Sequence, residues 1–193
     1  MITHISGKLV EKSPTHVVVD CNGIGYFIHI SLHTFSQLSE DEHIKLLTHF
    51  QVKEDAQQLY GFATPAEREI FRLLISVSGI GTNTARTMLS SLTPKQVREG
   101  IASGDVPLIQ SVKGIGLKTA QRVIIDLKDK VLKIYDIDET VALSSNTNKD
   151  EALSALEVLG FVKKQSERVV GKILTQHPDA SVELIIKEAL KNL

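Results

Sequence analysis

The chain has no tryptophan, one cysteine and, in 193 residues, five prolines. Each scarcity excludes something. Cys21 alone cannot close an internal disulfide, which argues against a stapled secreted scaffold and sets the expectation of a reducing, cytoplasmic compartment. No apolar run approaches the ~20 residues that a membrane span needs. The start, Met1-Ile2-Thr3-His4-Ile5-Ser6-Gly7-Lys8, lacks the charged and apolar regions of a secretory leader. With no second cysteine, the histidines would have to bind zinc unaided. His4, His16, His29, His33, His43 and His49 follow no zinc-ligand spacing, so no metal site is expected. A Gly-x-x-x-x-Gly-Lys-Ser/Thr loop is also missing. Gly116-Leu117-Lys118-Thr119 mimics only its tail, so a nucleotide cradle is excluded.

Net charge is nearly absent too, at −1, but the average hides a pattern. Residues 1–63 carry 4 Lys+Arg against 7 Asp+Glu, residues 64–135 carry 11 against 6, and residues 136–193 carry 7 against 10. One basic section between two acidic ones suggests a local footprint for a polyanion. That section also holds an internal repeat. Ser76-Val77-Ser78-Gly79-Ile80-Gly81-Thr82-Asn83-Thr84-Ala85-Arg86 returns as Ser111-Val112-Lys113-Gly114-Ile115-Gly116-Leu117-Lys118-Thr119-Ala120-Gln121, followed by Arg122. Gly79 to Gly114 is an offset of 35 residues. Each copy reads as helix, tight turn, helix, with Ile80 or Ile115 plugging the space between the helices. Such a turn ends at a helix N-terminus, where backbone N–H groups favour an anion such as a DNA phosphate. One Gly-x-Gly would be a plain connector; two aligned copies with cations downstream point to phosphate binding.

The first 63 residues read as short strands. Ile2–Glu11 is extended and stops near Ser13-Pro14. His16–Cys21 is β-branched, and Asn22-Gly23 is a two-residue hairpin signal leading into Gly25–Ile30. Ser31–Ser39 suggests a short helix. Ile44–Val52 and Gln57–Phe62 pair around Lys53-Glu54-Asp55-Ala56. Five such strands imply a closed barrel of the OB type. From Thr64 the period becomes helical. Thr64-Pro65-Ala66-Glu67 and Thr93-Pro94-Lys95-Gln96 both read as capping boxes with proline at the first helical position. Asp105-Val106-Pro107 opens a further helix. Apolar stripes at Ile70/Phe71/Leu74, Ala85/Met88/Leu89/Leu92 and Ala120/Val123/Leu127/Val131/Ile134 are core. Ser144–Lys149 is short-sided and polar, a linker. Beyond it are three helical segments: Asp150–Leu159 stopped by Gly160, Ser166–Leu174, and Val182–Leu190 after a break at His177-Pro178-Asp179. About 44 residues bury only a marginal core, which suits a docking module.

The order of barrel, paired helix–hairpin–helix motifs, linker and three-helix domain resembles the RuvA family over the whole chain. The most specific parts are the run Thr48–Phe62 and the twin Gly-Ile-Gly segments, and Leu159-Gly160-Phe161 is similar to the turn of ubiquitin-associated (UBA) domains. The resemblance implies an α+β multidomain chain: an OB-fold barrel (1–63), a central all-α domain with two helix–hairpin–helix motifs (64–143), a flexible linker (144–149) and a three-helix UBA-like domain (150–193). It implies a homotetramer that binds four-way (Holliday) junctions in homologous recombination, DNA repair and the SOS response to DNA damage, holding the junction open, with a second tetramer on the opposite face in some members. It further implies that the third domain docks a RuvB-type hexameric ATPase, the partner that uses ATP and magnesium, and that a RuvC-type resolvase joins the complex. The chain itself would carry no cofactor and no catalytic site.

Carried onto this sequence, the DNA-binding residues are Gly79, Ile80, Gly81 and Asn83 in the first turn and Gly114, Ile115, Gly116, Lys118, Thr119 and Arg122 in the second. Lys118 and Arg122, four apart, share a helix face. Asn83 in the first copy and Leu117 in the second stand where family members often carry lysine; Asn83 can still donate to a phosphate, but the first turn contributes less electrostatically. Glu54 and Asp55 match the family's acidic pin, whose carboxylates repel phosphates at the crossover; read alone they are a solvated turn. Two rival readings remain. An enzyme would need a nucleophile or carboxylate cluster, for which Asp126 and Asp129 are the nearest candidates, better read as surface positions. A single-strand binder would use the barrel instead.

Overall fold

The computed structural model describes residues 1–39, 42–132, 148–177 and 180–193. The chain divides into two compact units, one holding the described residues up to Leu132 and one those from Asn148.

The first unit opens with β1 (His4–Ser13), β2 (His16–Cys21), β3 (Ile24–His29), α1 (Leu32–Gln37), β4 (His43–Val52) and β5 (Gln57–Phe62). The strands close in the order β1-β2-β3-β5-β4, with β4 returning to β1. Only β3 and β5 run parallel. This is the expected OB barrel. Its β2–β3 hairpin turns at Asn22-Gly23, both with positive φ (53° and 89°), as a two-residue turn between twisted strands demands. Alternate residues point inward, so Ile5, Val17, Val19, Ile28, Ile44, Leu46 and Leu59 fill the barrel.

Five helices follow: α2 (Pro65–Ile75), α3 (Thr82–Ser91), α4 (Pro94–Ser103), α5 (Val106–Gln110) and α6 (Leu117–Leu132). Their shared core begins on the barrel. Tyr60 and Phe62 of β5 pack on Phe71 of α2 at 5.2 and 4.9 Å between ring centroids and join Leu74, Val77, Ile80, Met88, Leu89, Ile115, Val123 and Leu127. The expected stripes are thus buried, Leu92 only in part; Ile134 lies outside the described residues.

Thr93 and Gln96 form the full capping box at α4. The start of α2 corrects the parallel expectation. Thr64 caps the Glu67 amide, but the Glu67 carboxylate does not reach back. It is fully buried against α1, accepting short hydrogen bonds from Ser31 Oγ and from Thr34 Oγ1, the latter at 2.6 Å. Two hydroxyls offer a buried carboxylate more than one exposed amide does.

The second unit comprises α7 (Asn148–Val158), α8 (Lys163–Gln176) and α9 (Val182–Asn192) around Leu153, Leu156, Val170, Ile173, Ile185 and Ala189. Helix α7 starts two residues earlier than the linker expectation allows. Asn148 and Lys149 are helical, and Asn148 Nδ2 donates to the Ala180 carbonyl at 2.9 Å. The rest of the expected linker, 144–147, lies outside the described residues, as do Pro178 and Asp179. Gly160 ends α7 as expected, with Phe161 N donating to Leu156 O and Gly160 N to Glu157 O at 3.1 and 3.0 Å. Among the described residues no helix is long and apolar enough to cross a membrane.

Candidate nucleic-acid interface

The two repeats match bond by bond. Ile80 N donates to Val77 O at 3.0 Å and Ile115 N to Val112 O at 3.1 Å. Ala85 N and Ala120 N donate to Gly81 O and Gly116 O, both at 2.9 Å. Gly79 and Gly114 have φ of 95° and 92°, the left-handed region that a side chain disfavours. Ile80 and Ile115 are each 5% exposed and plug the helical core as expected.

Gly81 and Gly116 have ordinary φ, and a Cβ built on either meets nothing within 4 Å. Nothing internal requires glycine there. A smooth open surface over the first turn of α3 and of α6 is what remains, and it lets a ligand approach the backbone. Gly81 supplies no side-chain cap, so the leading amides of α3 have no side-chain acceptor. Together these features make the two turns candidate anion seats on one unit.

The seats differ in charge. At the second, Lys118 and Arg122 are exposed on α6, Thr119 is half-buried, and Lys113, a cation that the motif alone does not single out, is exposed just before Gly114. At the first, Asn83 is exposed, but Arg86 is committed elsewhere. Its Nη1 donates to Thr15 O at 3.2 Å and lies 3.2 Å from His29 Nδ1, bracing α3 against the barrel. Burial, with Arg86 beside it, holds the His29 imidazole below its usual range. Arg122 links the seats: Nη1 donates to Ser78 O at 3.1 Å, across to the first turn. One donor of five is used, which leaves most of the guanidinium for an anion. The Thr119 methyl lies 4.0 Å from where a Cβ on Gly79 would stand, so the two turns are neighbours.

Glu54 and Asp55 are exposed at the tip of the β4–β5 hairpin, closed by Lys53 N to Ala56 O at 2.8 Å. The root of that hairpin touches the first seat. Tyr60 Oη donates to Thr82 Oγ1 at 2.9 Å, and Thr82 Oγ1 to Gln51 Oε1 at 3.3 Å. Asp126 and Asp129 are exposed on α6, and among the described residues no group of three His, Cys, Asp or Glu side chains is placed to hold a metal. In the second unit Val158, Leu159 and Val162 are 85, 57 and 67% exposed around the Leu-Gly-Phe turn, an apolar cluster open to solvent.

Comparison with known proteins agrees with this layout. Residues 1–61 match the RuvA N terminal domain, 71–129 a SAM-like helix-hairpin-helix tandem, and 147–193 the RuvA C-terminal domain. A Flavobacterium psychrophilum protein described as Holliday junction branch migration complex subunit RuvA is 66% identical over the whole of both chains. The chain belongs to the RuvA family. Proteins with the same description from Christiangramia forsetii and Bacteroides thetaiotaomicron are 64% and 48% identical, again over the whole of both chains. Membership in the RuvA family accounts for the order of the parts: OB barrel, helix–hairpin–helix pair, small C-terminal domain.

Proposed function

We propose that this chain is the non-catalytic, junction-binding subunit of a branch-migration complex. Four copies assemble around a four-way DNA junction and hold it open. The turns at Gly79–Gly81 and Gly114–Gly116 seat phosphates of the arms, with Asn83, Lys118, Thr119 and Arg122 adding side-chain contacts. Glu54 and Asp55 repel phosphates at the crossover and guide strands apart. The second unit recruits a RuvB-type hexameric ATPase, which supplies ATP and magnesium chemistry, and a RuvC-type resolvase acts on the same assembly in the cytoplasm. The observation that carries this reading is the pair of matched anion seats, with an acidic turn rooted beside the first. Backbone and Lys/Arg contacts to phosphate position DNA without reading bases, so recognition follows from the shape of the junction. The exposed Val158, Leu159 and Val162 suit a helper domain that recruits a protein partner.

A gel-shift competition among four-way junction, duplex and single strands tests the proposal, run with labelled junction in magnesium. Junction preference without cleavage is expected. Preference for single strands would move the site to the barrel, and strand cleavage would make the chain a nuclease. Measuring particle mass with and without junction tests the tetramer and shows whether a second one adds.

A further inference from the structure

The two seats are not held in place in the same way. Position 82 in the first copy corresponds to position 117 in the second. Thr82 is 6% exposed and bonded to the barrel, whereas Leu117 is 51% exposed. Thr82 is the first residue of α3, immediately after Gly81. Its two partners lie on the hairpin that carries the acidic turn. Gln51 and Gln58 oppose each other across β4 and β5, one rung before the terminal pair Val52 and Gln57. Tyr60, 1% exposed, bridges Gln58 Oε1 and Thr82 Oγ1, each at 2.9 Å. One small polar knot therefore joins the root of the acidic turn to the residue that follows the first phosphate turn. Among the described residues the second seat has no such bond to the barrel; besides its core packing, its polar tie is Arg122 on Ser78.

We propose that Thr82 is a positioning residue: with Tyr60 and Gln51 it fixes the first phosphate seat relative to the Glu54-Asp55 turn, and so sets how well the protein distinguishes a junction from a simple duplex. The inference rests on the function proposed above. Gripping a duplex arm needs only the seats. Holding a junction open needs seats and acidic turn at one fixed separation, because the strand that leaves the seat must meet the carboxylates at the crossover. Apolar packing at Tyr60 and Phe71 is non-directional and tolerates small sliding. A hydrogen-bonded chain from Tyr60 through Thr82 to Gln51 does not, because such bonds weaken steeply with angle.

Thr82→Val keeps the shape and removes the hydroxyl. Tyr60 then turns its proton to Gln58, so no buried donor is orphaned and the fold is retained. The measurement is the dissociation constant of the full chain for four-way junction and for duplex, beside 2-aminopurine fluorescence at the crossover. Duplex affinity should be unchanged, while junction preference falls about five- to tenfold, the size of one lost hydrogen bond, and the crossover base unstacks less. Tyr60→Phe should do the same, the double variant should be no worse than either single one, and Thr82→Ser should restore the native preference. Native junction preference in both single variants would overturn the inference, as would equal losses on junction and duplex. If the unaltered chain shows no junction preference, the proposed function itself fails, which the parallel control separates.

Discussion

Glu67 offers the sharpest test of how the barrel and the helical layer are joined. Its buried carboxylate accepts from Ser31 Oγ and Thr34 Oγ1, while Thr34 N donates to Ser31 Oγ and Ala63 N to Thr34 Oγ1 at 3.0 and 3.2 Å. Burial pushes the Glu67 carboxyl above its usual range, and the bonds from Ser31 and Thr34 oppose that only in part. Folded protein therefore binds this proton more tightly than unfolded protein. Stability from this group is full below the ordinary glutamate range and declines as pH rises through the raised value. His29 and His49 act in the other direction. Burial holds both imidazoles low, with Arg86 and Arg72 adding, so they cost stability as pH falls through the usual imidazole range. Subtracting Glu67→Gln from the unaltered chain cancels the histidines and isolates the carboxyl. Glu67→Ala strands two buried hydroxyls and loses two strong bonds, a destabilisation of about 3 kcal/mol. Glu67→Gln keeps the volume and one acceptor and should cost about 1 kcal/mol at neutral pH. Urea unfolding followed by circular dichroism at several pH values reads both, taking the transition of the first unit. An alanine variant as stable as the parent, or a difference curve that rises with pH, would refute this account of the joint.

Three further outcomes are expected. Replacing Lys118 and Arg122 together with alanine should make the plot of log affinity against log salt shallower by about two, near 0.9 for each phosphate no longer neutralised; an unchanged slope in filter binding would remove them from the interface. Gly114→Ala should destabilise the first unit by about 1 kcal/mol through its positive φ, whereas Gly116→Ala should leave the melting temperature alone and lower DNA affinity, because its Cβ stands where a phosphate approaches. Neutralising the acidic turn with Glu54→Gln and Asp55→Asn should tighten duplex binding and reduce crossover unstacking, and no change in either would return these residues to a plain solvated turn.

Local patterns were legible and distant partners were not. The barrel strands follow from period-two runs and from Asn22-Gly23, and the helices from caps and stripes, because all of these are set by near neighbours. Strand order is not local: nothing in β3 or β5 alone announces that Ile28 pairs with Leu59 in parallel. Glu67 satisfies the spacing of a capping box, yet its partners Ser31 and Thr34 lie 36 and 33 residues away. Arg86 reads as a free cation after a phosphate turn until Thr15 and His29, 71 and 57 residues earlier, take its guanidinium. Asn148 reads as linker because the Ala180 carbonyl that anchors it is 32 residues on. In each case a polar side chain with a plausible local role is captured by a partner from another element.

Those captures give the two copies of the repeat different work. The first spends its side chains inward: Thr82 on Tyr60 and Gln51, Arg86 on Thr15 and His29. Under the proposed function it would contribute to an anion almost wholly through backbone amides and Asn83. The second turns Lys113, Lys118 and Arg122 outward and is tied to its neighbour by Arg122 on Ser78. Position passes from barrel to first seat to second seat, while positive charge increases along the same path. A seat rich in charge attracts DNA from a distance but tolerates misplacement; a seat rich in fixed amides attracts weakly and demands good geometry. Under the proposed function, placing the rigid seat beside the acidic turn and the charged seat farther along the chain of attachments would separate capture of an arm from its alignment at the crossover.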